Sequence, residues 1–259
     1  MKGGTLLAAV SELAALAGDH ALRHFRGALD VETKSDGSPV TRADRETEAL
    51  AREWISRHFP GDAILGEELG GVAPAAARTW VIDPIDGTRS FVKGVPLWAT
   101  LVAVTEHGEV VAGAAEFPAC GERIAAARGE GAWWNGAPTR VSDVAALADA
   151  TLLHTGTAFG DERRPRWDAL LARAGTVRTW GDAYGYLLVA SGRAEVMMDP
   201  SVQLWDAAPV QVIVEEAGGR FTDWNGERTP SGRGAIATNA ALDEAVRAAL
   251  CTRKPGRPA

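Results

Sequence analysis

Asp83 and Asp86 lie three residues apart around Pro84, at the end of the apolar run Trp80-Val81-Ile82, and Gly87-Thr88 follows. Strand interiors rarely carry carboxylates. The strand is therefore expected to end where the acids begin, with the next turn holding both side chains together. Two carboxylates that close repel each other unless a cation lies between them. An all-oxygen donor set suits a hard divalent ion, Mg²⁺ first. Other acids mark the ends of expected elements: Glu67 and Glu68 after a short strand, Asp206 opening a helix, Asp44 just inside another. Acids at several element ends can converge on one site.

Each acid also has a simpler role. Asp44 follows Thr41 at capping-box spacing. Asp206 suits a helix N-terminal dipole. Glu67-Glu68 could be a solvated loop, and Asp83-Pro84 a turn start. Singly, these structural roles suffice. With the i, i+3 pair among them, the set is better read as a metal site.

The elements that must position these acids follow from periodicity. Leu6, Val10, Leu13, Ala17, Ala21 and Phe25 recur at helical steps. Residues 33–39 read as a polar loop, 41–58 as a second helix and 63–65 as a short strand. Residues 97–104 and 110–116 read as a hairpin turning at Glu106-His107-Gly108. Residues 123–127 form a further strand, and Asn135-Gly136 a further turn. Beyond residue 151, strands over 151–155, 176–180, 194–199 and 234–238 alternate with helices over 163–174, 183–191, 205–217 and 240–250. This implies an N-terminal α+β half over 1–150, with an antiparallel sheet and most of the acids, and an α/β half over 151–259.

The 259 residues contain no apolar run near the roughly 20 needed to cross a bilayer. Glu12 interrupts the apolar N-terminal stretch, which reads as a helix and not a signal peptide. Cys120 and Cys251 are the only cysteines and form no close pair, which fits a reducing cytoplasm. A net charge of −7 argues against a nucleic-acid surface. The tail over 253–259 is expected to be frayed.

Gly66-Glu67-Glu68, the segment Trp80 to Phe91, Trp205-Asp206-Ala207-Ala208 and Glu216-Ala217-Gly218-Gly219 together resemble the inositol monophosphatase-like family in order and spacing. The resemblance spans the chain from first helix to last. It implies the layered α-β-α-β-α sandwich of the inositol monophosphatase/fructose-1,6-bisphosphatase type and a Mg²⁺-dependent phosphomonoesterase, with two or three ions per site and Mn²⁺ as an alternative. Carried over by motif, one ion falls to Glu67, Asp83 and the Ile85 carbonyl, a second to Asp83, Asp86 and Asp206, and a weaker third to the surroundings of Glu67. Asp44, Glu67 and Thr88 are the implied catalytic set, with Asp44 and Thr88 orienting and deprotonating the attacking water. The N–H groups of Gly87 and Thr88 would cradle the phosphate at a helix start. Lys34 and Asp44 match the segment running from Lys34 to Asp44, whose centre at Asp36-Gly37 is a candidate lid. By analogy the chain is a homodimer. The five histidines lie outside every motif and are read as structural or surface residues.

The stretch Arg178-Thr179-Trp180-Gly181-Asp182-Ala183-Tyr184-Gly185-Tyr186 resembles the histidinol-phosphate phosphatase branch of that family. Asp182 could accept from an ammonium or imidazolium group, Trp180 or Tyr184 could border a flat ring, and Arg178 would lie near the phosphate or the polar end of the substrate. Asp199, seven residues before Asp206, suits an amine or hydroxyl. The substrate contacts implied are thus Glu67, Ile85, Asp86, Gly87, Thr88, Arg178, Asp182, Asp199 and Asp206. The simpler reading makes Trp180 and Tyr184 core aromatics and Asp182 an N-cap. Trp133-Trp134 reads as packing. The leading expectation is hydrolysis of L-histidinol phosphate. The alternatives are an inositol-1-monophosphatase or broad sugar-phosphate phosphatase, and a regulatory binding protein that keeps the fold.

Overall fold

The computed structural model describes residues 5–34, 37–71, 78–156 and 163–251. Asp36 of the candidate lid and the tail beyond 251 fall outside them. Helix α1 (Leu6–Leu22) begins at Thr5, whose hydroxyl accepts from the Ala8 N–H, and buries Val10, Leu13 and Ala17. Phe25 falls beyond the helix and packs on Phe91 and Trp98. The 33–39 stretch is flanked by a small ribbon, β1 (Val31–Thr33) with β2 (Pro39–Thr41). Each strand is only three residues long, and β1 is exposed throughout, so neither shows the alternation that announces a strand. Helix α2 (Arg42–His58) follows.

The large sheet takes its strands in sequence order: β3 (Ala63–Gly66), β4 (Thr79–Asp86), β5 (Ala99–Glu106), β6 (Glu109–Phe117), β7 (Glu122–Ala127), β8 (Gly131–Trp134) and β9 (Ala137–Thr139). Only β3 and β4 are parallel. The short α3 (Thr88–Val92) leaves the end of β4. His107-Gly108 and Asn135-Gly136 have positive φ at both positions, the backbone of a type I′ hairpin turn. The second half supplies β10 (Thr151–His154), α4 (Arg164–Leu171), β11 (Thr176–Arg178), α5 (Ala183–Ala190), β12 (Val196–Asp199), α6 (Leu204–Glu216), β13 (Arg220–Thr222), β14 (Ala235–Thr238) and α7 (Asp243–Leu250). Its sheet runs β11-β10-β12-β14-β13, parallel through β12 and antiparallel after it.

Side chains alternate across each strand, and that alternation builds the layers. Trp80, Ile82, Val102 and Val104 face α1 and α2. Val81, Leu101, Ala103 and Ala115 face the other way, against Leu187 of α5 and Val210 and Val214 of α6. Met197 and Ala237 cover the far side of that helical layer. Val196, Met198 and Ile236 turn outward to Trp167 of α4 and Val246 of α7. The result is a five-layer α-β-α-β-α sandwich. Helix α6 is apolar around most of its surface because sheets cover it on two sides. It approaches β6 so closely that a Cβ on Gly113 would sit 2.6 Å from the Pro209 carbonyl oxygen. Among the described residues no helix is long and apolar enough to cross a membrane.

Candidate active site

Asp83 shares the α6-facing side of β4 with Val81 and is buried, at 2 % exposure. The strand does not stop before the acids. It continues to Asp86, and its pairing with β5 slips between Asp83↔Leu101 and Asp86↔Ala99, so one extra residue bulges from β4. The Pro84 carbonyl accepts from the Thr100 hydroxyl at 2.8 Å. The Ile85 N–H turns inward to Asp83 Oδ1 at 3.0 Å. A bulge re-aims side chains, and this one brings both acids toward the start of α6.

Asp206 sits in the first turn of α6, where its Oδ2 accepts from the Gln203 N–H at 2.8 Å. One carboxylate oxygen each from Asp83, Asp86 and Asp206 lies within 4.8 Å of the others. Burial first, then the charges of Glu67, Asp86 and Asp206, push Asp83 well above the carboxylate range. Burial followed by Asp182 and Asp206 does the same to Asp86, opposed by a 2.7 Å hydrogen bond from the Ala183 N–H. Asp206 is pushed up to about 6, chiefly by burial. A buried set of oxygens raised by mutual repulsion fits a hard divalent cation, which would relieve both costs.

Glu67 borders this set, with its backbone N–H on the Ile82 carbonyl. Its Oε1 is held 2.7 Å from Lys34 Nζ, and the same ammonium binds Glu68. Glu68 is pushed up to about 7, mainly by burial. Glu48 fixes the turn beneath by accepting from the N–H groups of Glu68 and Leu69. The Ile85 carbonyl accepts from Thr88 Oγ1 at 2.9 Å, and the same hydroxyl lies 3.5 Å from Asp44 Oδ1. The other oxygen of Asp44 caps α2, accepting from the Thr41 N–H and hydroxyl at 2.8 and 2.6 Å. Capping and a place beside Thr88 thus fall to different oxygens of one carboxylate. Burial raises Asp44 despite those hydrogen bonds. Gly87 adopts φ 78° ahead of α3, and no side chain caps that helix.

A small cavity of about 80 Å³ adjoins Asp86 and Asp206 and is lined by Thr155, Asp182, Tyr186 and Asp199, among others. Its polar wall comes from the carboxyl ends of β10, β11 and β12, where ligands gather in α/β sheets. Thr155 Oγ1 donates to Asp199 Oδ2 at 3.0 Å and accepts from the Asp182 N–H at 3.0 Å. Asp199 is pushed up to about 8 by burial first and then by Asp182. The Asp182 backbone stands at φ 53°, and its Oδ2 lies 3.1 Å from where a Gly87 Cβ would be. Asp182 therefore faces the start of α3 and makes no side-chain cap to α5.

Arg178 is exposed at the end of edge strand β11, with its guanidinium on the Val177 carbonyl and 6.0 Å from the Trp180 ring. It does not line the cavity. Trp180 is 44 % exposed, not a core aromatic. Tyr184 is turned away, its hydroxyl on Glu122 at 3.0 Å and its ring edge-on to Phe117. Tyr186, two residues on, takes the cavity position. Trp134 packs beneath Arg193, whereas Trp133 is 38 % exposed. Thr155, Tyr186 and Lys34 had no assigned role in the sequence. The strand-end position of Thr155 was the available signal. A larger surface concavity bordered by Arg166, Arg220 and Arg247 lies away from the acids, so size does not mark the site here.

Residues 4–254 match the inositol monophosphatase family. The chain is 44 % identical to a protein named histidinol-phosphatase from Chlorobaculum parvum, over 92 % of this chain and 94 % of that one. It is 44 % identical to another of that name from Mycobacterium tuberculosis, over 85 % and 88 %. Among solved structures it is similar to extragenic suppressor protein suhB of Bartonella henselae, with a TM-score of 0.86 at 28 % identity over 95 % of this chain and 97 % of that one.

Proposed function

The chain belongs to the inositol monophosphatase family, and from that premise we propose that it is a divalent-cation-dependent phosphomonoesterase that releases phosphate from L-histidinol phosphate. The observation that carries this reading is the contact of the acidic cluster with a carboxylate-walled cavity, through the Ala183 N–H on Asp86. The names of its 44 % identical relatives support the same substrate.

Glu67, Asp83, Asp86, Asp206 and the Ile85 carbonyl are the ligands we propose for two or three Mg²⁺ ions, with Mn²⁺ as an alternative. Such ions would neutralise the phosphate dianion and acidify a water. Lys34 positions Glu67 and Glu68 at the rim. The Thr88 hydroxyl, set between the Ile85 carbonyl and Asp44, orients the attacking water and passes its proton toward Asp44. The N–H groups of Gly87 and Thr88 take the phosphate oxygens. Asp182 and Asp199 face the leaving group, where an ammonium or imidazolium would pair with them. Arg178 does not line the cavity and takes no part in this assignment. We further propose a cytoplasmic homodimer.

The test is phosphate release by purified protein with Mg²⁺ from L-histidinol phosphate, inositol 1-phosphate, fructose 1,6-bisphosphate and adenosine 3′,5′-bisphosphate. The highest kcat/KM is expected with histidinol phosphate. A preference for inositol 1-phosphate would overturn the substrate and leave the reaction class.

A further inference from the structure

His20 lies in the last turn of α1, His24 in the turns just after it, and Glu46 in the second turn of α2. One ring nitrogen of each histidine and one carboxylate oxygen of Glu46 all lie within 4.8 Å of one another. His24 Nε2 is 3.6 Å from Glu46 Oε2. Tetrahedral Zn²⁺ holds nitrogen and oxygen donors at about 2.0–2.1 Å, which separates them by roughly 3.4 Å. That pair is already at ligand spacing.

His20 Nδ1 is 3.0 Å from the hydroxyl of buried Thr47. A ligating imidazole is ordinarily oriented by such a bond on its other nitrogen, which would leave Nε2 of His20 for the ion. Burial, then His24 and Arg23, lower His20 from the ordinary imidazole range, and Glu46 opposes them. Arg42 engages the opposite oxygen, Glu46 Oε1, at 3.4 Å, and so leaves Oε2 to a ligand. We propose that His20, His24 and Glu46 form a second cation site, separate from the acidic cluster and selective for a borderline ion of the Zn²⁺ kind. Two imidazoles favour such an ion over Mg²⁺, whereas the cluster of Asp83, Asp86 and Asp206 offers oxygens alone. The bound ion would clip the end of α1 to the start of α2.

The test is Zn²⁺ calorimetry on the full chain in excess Mg²⁺, which occupies the oxygen site, with thermal melting in parallel. Wild type and Asp83→Asn are expected to bind one Zn²⁺ and to melt higher with it. His24→Gln and, independently, Glu46→Gln should bind it at least about tenfold more weakly. Unchanged affinity in both of those variants, absence of a stoichiometric Zn²⁺ in wild type, or its loss in Asp83→Asn would overturn the site.

Discussion

The Ala183 N–H donates to Asp86 Oδ2 at 2.7 Å, across 97 positions of sequence. It ties the bulge of β4 to the start of α5, and so ties the acidic cluster to the cavity wall. Ala183→Pro removes this donor at a helix position that tolerates proline. Apparent Mg²⁺ affinity should fall about tenfold, as for other groups that orient a ligand, with the circular dichroism unchanged. Calorimetric Mg²⁺ titration of the two proteins measures it.

Asp182 and Asp199 should decide substrate choice more than rate. Losing a hydrogen bond to a charged group costs about 1.5–3 kcal/mol, or roughly tenfold to a hundredfold in kcat/KM. Asp182→Asn and Asp199→Asn are expected to lose that much on L-histidinol phosphate and much less on inositol 1-phosphate. Parallel losses on both esters would remove these carboxylates from recognition.

Metal-free stability should fall with rising pH. Burial first, then neighbouring acids, push Asp199 up to about 8, and burial pushes Asp206 up to about 6, from an ordinary value of 3.8. The folded chain keeps protons that the unfolded chain releases near pH 4. This contribution is therefore complete below about pH 4 and is lost as pH rises to about 8. Mg²⁺ should flatten the decline by binding the ionised cluster. Melting temperatures at pH 5 and pH 8, in EDTA and in Mg²⁺, give the comparison.

Gly113→Ala probes the layer contact alone. The added Cβ would meet the Pro209 carbonyl oxygen at 2.6 Å. Overpacking of this kind costs about 1–3 kcal/mol, and denaturant unfolding in EDTA should show it without any change at the acids.

Much of this was legible in the residues. Helical steps in α1 and α2, the β5–β6 hairpin and the alternation after residue 151 all follow from apolar spacing. The strand ending was misread because a sequence shows two acids and a proline, and not the neighbour that supplies the bonds. Thr100 and the slipped register let β4 carry Asp83 and Asp86 within the sheet. Arg178 and Tyr184 had plausible types and spacing, but which way each turns depends on the edge position of β11 and on Glu122, which is 62 residues from Tyr184. The capping role of Asp44 and its nearness to Thr88 could not be separated in sequence because one side chain has two oxygens.

The most direct measurement is the rate of phosphate release from L-histidinol phosphate as Mg²⁺ is added to EDTA-stripped wild type and Asp83→Asn. Wild type should go from no turnover to saturation. Asp83→Asn should stay at least about a thousandfold lower while folding as stably as wild type in EDTA, since Asn keeps an oxygen for the Ile85 N–H and adds no charge to the interior. Turnover by wild type in EDTA, or Mg²⁺-dependent turnover in Asp83→Asn near the wild-type rate, would contradict the account.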